Sequence, residues 1–116
     1  LPPVRTDRLL LEDMLAAIDE VIETTPAAKC DFDANKLVRS HVLRHIQIIG
    51  EVAWRISEES KARYPQVPWK QMAGMRHVLV HAYFQVNWNR VYLTAREHVP
   101  PLRPVIAAML QGVSER

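Results

Sequence analysis

The sequence is short of the residues on which many familiar chemistries depend. It has one cysteine, Cys30, so no intramolecular disulfide can form and a cysteine-based metal site is excluded. It has three glycines, none in a glycine-rich loop that would cradle a phosphate, which argues against a self-contained nucleotide enzyme. No stretch approaches the ~20 apolar residues needed to span a bilayer. No segment alternates polar and apolar residues with period two, so strands are not expected. The first residues, "LPPVRTDRLLLEDML", lack the charged-then-apolar form of a signal peptide, and a cytoplasmic location is the expectation. Neither sign of charge dominates. The net charge of +2 comes from Lys and Arg interleaved with Asp and Glu, which permits nucleic-acid contact without arguing for it.

What is present is helical. The 116 residues make a single domain, 1–116, and the 48% hydrophobic content suffices for one core. Cores of this size are marginal, and a homodimer would supplement one. Thr6 or Asp7 can cap a first helix, in which Leu10, Leu11, Met14, Leu15, Ile18, Val21 and Ile22 recur at helical spacing. Pro26 breaks this pattern. Asp31 or Asp33 is expected to cap a long second helix over about 34–62, whose apolar stripe runs from Leu37 and Val38 through Val42, Leu43, Ile46, Ile49, Val52 and Ala53 to Ile56. Gly50 lies inside that helix, where glycine costs about 1 kcal/mol relative to alanine, so another helix is expected to pass close by.

Pro65 and Pro68 end the second helix. The third covers about 69–84, and Asn87 can cap a fourth from Trp88 to about Glu97. Pro100 and Pro101 suit the first turn of a last helix, with Gly112 as its stop. The expected fold is all-α, an antiparallel bundle of four to five helices.

Candidate chemistry concentrates in residues 74–84, "GMRHVLVHAYF". His77 and His81 stand four apart, as zinc-protease histidines do, but Val78 occupies the position where that motif needs Glu. His41 and His45 repeat the spacing on the second helix, with no evident carboxylate to complete a set, so no metal site is expected. On a regular helix Arg76 and Tyr83 share a face, while His81 sits about 140° round from Arg76. Two readings follow from the residues. Either Arg76 pairs with a second-helix carboxylate such as Glu51 and His81 packs in the bundle, or the group is a chemical site completed by a second subunit.

The stretch "RHVLVHAY", residues 76–83, matches the R-x(4)-H-x-Y motif of HepT-like toxins of the HEPN superfamily. "IIGE", "YPQVPW" and "YFQVNW" resemble the same family, as do "DRLLLEDMLAAID" and "VPPLRPVIAAML", so the resemblance covers almost the whole chain. It implies a HEPN-like helical fold and a metal-independent endoribonuclease toxin. It also implies a homodimer, an RNA substrate, no cofactor, and an MntA-type nucleotidyltransferase antitoxin as partner. Carried over by position, Arg76 and His81 are the catalytic pair and Tyr83 is the residue that the antitoxin modifies with AMP. His77 fills a position that is polar in the superfamily, and it and Glu51 are possible supporting residues. Lys70, Arg90 and Arg96 are candidates for a basic rim. The alternative within the same resemblance is a non-catalytic helical subunit that binds or regulates a nucleotidyltransferase. A second alternative is a structural helical adaptor in which Arg76 and His81 only pack.

Overall fold

The computed structural model describes residues 6–80 and 86–112, with the backbone alone for 77–80. The described residues are helical and contain no strand. The elements are α1 (Asp7–Thr24), α2 (Lys29–Ala34), α3 (Lys36–Arg55), α4 (Glu58–Arg63), α5 (Trp69–Val80), α6 (Trp88–Leu93) and α7 (Leu102–Gly112). A π-helical turn, Thr94–His98, extends α6, and the Val99 N–H donates to the carbonyl of Thr94, five residues back. Counted with that extension, α1, α3, α5, α6 and α7 are the five main helices expected, and α2 and α4 are additional six-residue pieces.

Those short pieces correct two expectations. The second helix does not run unbroken from 34 to 62. It ends at Arg55, and a new helix starts at Ser57, whose hydroxyl accepts from the Ser60 N–H, with Glu58 and Glu59 in the first turn. Nor is its cap Asp31 or Asp33, both of which lie inside α2. Asn35 caps α3 by accepting from the Val38 N–H at 3.1 Å. At α1 the expected alternatives resolve to Thr6, which accepts from the Leu9 N–H, and Asn87 caps α6 as expected. The third helix was expected to reach residue 84, and its last part lies outside the described residues. Gly112 is the last described residue of α7.

The core is the buried face of α1 (Leu10, Leu11, Met14, Ala17, Ile18 and Val21) packed on Val42, Ile46, Ile49, Val52 and Ala53 of α3. Met72 of α5 and Ile106 and Met109 of α7 close it. Leu37 does not join the expected stripe. It sits in the first turn of α3 and is 83% exposed. Phe32 brings α2 into the core and stacks obliquely on Tyr92, their ring centroids 5.0 Å apart.

Helix α3 is central, with α1 on one side and α5 on the other. It runs antiparallel to α1. Asp7, at the start of α1, accepts from the hydroxyls of Ser57 and Ser60 just beyond the end of α3, while Glu20, near the end of α1, meets His41 near the start of α3. Asp19 and Arg103 pair at 2.6 Å between α1 and α7. No described helix is long and apolar enough to cross a membrane.

Candidate functional site

Arg76 owes its place to Gly50. A Cβ built on Gly50 would lie 2.7 Å from the Arg76 backbone nitrogen, 3.1 Å from the Met72 carbonyl oxygen and 3.2 Å from the Arg76 Cβ. Only a residue without a side chain lets the two helix backbones approach this closely. The close approach expected from a mid-helix glycine is therefore real, and the neighbour it admits is the arginine of the candidate site.

Three groups on α3 receive the Arg76 side chain. Its guanidinium carbon lies 3.9 Å from the centroid of the Trp54 ring, a cation–π arrangement. Its Nη1 lies 3.8 Å from Oε2 of Glu51, a long ion pair rather than a bidentate clasp. Its Nε is buried and has no hydrogen-bond partner among the described residues. Glu51 is shared, because Arg55 Nε stands 3.7 Å from its other oxygen. The pairing of Arg76 with Glu51 expected from the sequence is present.

Trp54 was missed by sequence reasoning. It is 58% exposed, which is unusual for a large aromatic ring, and it stands three residues after Glu51, on the same side of α3. That spacing was the available signal. Arg76, Glu51, Arg44, Gln47 and Ile48 line a shallow depression of about 300 Å³. A larger cavity of about 590 Å³ is lined by residues of α3, α5, α6 and α7, including Met72, Met75, Val91 and Leu102, and Arg76 is not among them. We place the candidate chemistry at the smaller depression, because that is where the charged groups converge.

His77 follows Arg76 on α5, and its side chain lies outside the described residues, as do His81 and Tyr83. Lys70, Arg90 and Arg96 are all exposed.

A separate group forms where α1 packs on α3. His41 Nε2 lies 3.2 Å from Oε2 of Glu20, and the rings of His41 and His45 are 4.2 Å apart. The carboxylate judged absent from the sequence is Glu20, which tertiary packing of α1 on α3 delivers.

Residues 14–109 match the family model described as Ribonuclease HepT-like. The chain belongs to the HepT-like ribonuclease family. It is 38% identical over 101 residues to "Probable ribonuclease HepT" of Thermococcus cleftensis, covering 85% of this chain and 91% of that protein. It is 30% identical over 115 residues to "Putative RNase MJ0125" of Methanocaldococcus jannaschii, covering 98% of this chain and 99% of that protein. No solved structure matches it.

Proposed function

We propose that this HepT-like chain is a metal-independent endoribonuclease and the toxin of a toxin–antitoxin pair. The observation that carries the reading is the placement of Arg76. It is the first residue of the R-x(4)-H-x-Y stretch, drawn against α3 by Gly50 and held between Trp54 and Glu51. Membership of the family supports the reaction class.

RNA brings its own nucleophile, the 2′-OH. His81 takes that proton, as the imidazole side chain is suited to do at neutral pH, and the oxygen attacks the adjacent phosphorus. Arg76 stabilises the charge that builds on the phosphorane oxygens. A protonated histidine, His77 or one from the second subunit of a homodimer, gives its proton to the departing 5′-oxygen. The products are a 2′,3′-cyclic phosphate and a free 5′-hydroxyl. The long 3.8 Å contact to Glu51 suits this role, since a loosely held guanidinium can turn to a phosphate.

The proposed neutralisation acts on the same arginine. An MntA-type nucleotidyltransferase antitoxin transfers AMP from ATP to the Tyr83 phenol oxygen, which loses its proton, and pyrophosphate leaves. The added phosphate charge, seven residues along from Arg76, occupies the arginine and repels the RNA backbone.

The test is growth of a bacterial host on induction of the wild type, Arg76→Ala and His81→Ala at equal expression. Arrest by the wild type alone, with cyclic-phosphate RNA ends, is the expected result. Equal growth of all three would sink the nuclease. That outcome would favour the second reading, a non-catalytic subunit of a nucleotidyltransferase, to which the internal pairing of Arg76 with Trp54 and Glu51 is equally suited.

A further inference from the structure

The Glu20, His41 and His45 group lies at the α1–α3 contact, none of its residues lines the Arg76 depression, and the nuclease reading makes no use of it. Each of the three residues offers one ligand atom, and these atoms all lie within 4.8 Å of one another. They come from two helices: His41 and His45 stand one turn apart on α3, and Glu20 reaches over from α1.

The hydrogen bonding fixes which histidine nitrogen is available. His45 Nδ1 lies 2.7 Å from the His41 carbonyl oxygen. A carbonyl only accepts, so Nδ1 carries the proton and the Nε2 of the neutral ring keeps its lone pair. A backbone carbonyl that holds one ring nitrogen and frees the other is the usual support of a metal-ligating histidine. His41 turns its Nε2 to the Glu20 carboxylate at 3.2 Å, a contact in which Nε2 carries the proton; on binding, the ion takes the place of that proton, which moves to Nδ1 of the same ring. A tetrahedral ion with bonds of ~2.0–2.1 Å sets its ligand atoms about 3.3 Å apart. The Glu20–His41 edge already has that length, and the other two pairs, within 4.8 Å, close toward it when the ion binds. His41 and Glu20 are 39% and 45% exposed, so an ion can reach them from solvent.

We propose that Glu20, His41 and His45 bind one divalent transition-metal ion of the zinc class. Two imidazoles and one carboxylate suit zinc and its neighbours rather than magnesium or calcium, which prefer all-oxygen sets. Three protein ligands leave a fourth position for water or for a donor from another molecule. The ion clips the end of α1 to the start of α3. This holds whether or not the nuclease reading does.

The test is calorimetric titration of the full, chelator-stripped chain with zinc chloride in a non-coordinating buffer. The expected result is one zinc per chain at micromolar affinity and a higher melting temperature with zinc. Binding should disappear in the His41→Gln, His45→Gln double variant. Glu20→Gln, which keeps the side-chain shape, should weaken it about tenfold or more. Because His77, His81 and His98 also carry imidazoles, zinc binding that survives unchanged in the double variant would overturn the proposal. So would no binding up to millimolar zinc, or a Glu20→Gln chain, folded by circular dichroism, that binds as tightly as the wild type.

Discussion

The two faces of α3 solve the problem of holding a neighbouring helix in opposite ways. Toward α1, the ends of the contact are bridged by long polar side chains: Glu20 to His41 at one end, Asp7 to Ser57 and Ser60 at the other. Toward α5 the contact is made by removing a side chain, so that Gly50 meets the backbone of Arg76 directly. Polar bridges tolerate small shifts, because flexible side chains re-aim. A backbone contact does not, so it fixes Arg76 more rigidly. The candidate catalytic arginine stands on the rigid side.

The largest effect should come from Arg76→Lys. Lysine keeps the charge but lacks the planar fork of donors, and its ammonium is a compact point charge. On the nuclease reading, RNA cleavage in single-turnover assays should fall by about 10²–10³-fold, the loss typical of removing one transition-state donor. Near-wild-type cleavage by the lysine form would mean that charge alone suffices at this position.

Next is Gly50→Ala set beside Gly74→Ala. At Gly50 the new methyl meets backbone that must move, an overpacking cost of about 1–3 kcal/mol. The better helix propensity of alanine offsets about 1 kcal/mol of it. A Cβ at Gly74, on the facing helix, meets nothing within 4 Å among the described residues, so there the propensity gain of up to about 1 kcal/mol stands alone. Chemical denaturation should therefore move the two midpoints in opposite directions. Gly50→Ala should also lose cleavage beyond its stability loss, because it displaces Arg76. Midpoints that rise in both variants would show that α5 can slide.

The smallest effect belongs to the polar side. Burial pushes the Asp7 carboxyl pKa up. Hydrogen bonds from the Ser57 and Ser60 hydroxyls and the Ser57 backbone N–H together outweigh it and hold the group below its ordinary 3.8. A carboxylate with a depressed folded-state pKa adds stability that is complete above the unfolded value. That stability is lost as pH falls below 3.8 and through the lower folded value. Asp7 is largely solvated, so the effect is small. The wild-type advantage over Asp7→Asn, read from thermal melts, should be constant near neutral pH and shrink in acid. An advantage that grows in acid would contradict the assignment.

Much of the fold was legible in order along the chain. The three- and four-residue spacing from Leu10 to Val21 marked α1 because a helix repeats every 3.6 residues, and Thr6 and Asn87 announced their caps by residue type. Gly50 pointed to a close neighbour because glycine is costly inside a helix, although simple packing was the other reading, and only the structure decided between them. The break at Ser57 was readable from a serine followed by two glutamates, but the apolar stripe through Ile56 masked it. Leu37 was misplaced because periodicity says which face a residue is on, not whether the helix's first turn is covered.

What the sequence by itself determined is local: the helical class, most helix starts, and the order Arg76, His81, Tyr83 along one stretch. Only the tertiary structure decided which partners those helices present to one another. Trp54 and Glu51 come to Arg76 from more than twenty residues away, and Glu20 comes to His41 from twenty-one. The pattern of a helix is set by its own repeat, whereas a contact between helices depends on how close their backbones can pack. Between α3 and α5 that depended on a single missing side chain at Gly50.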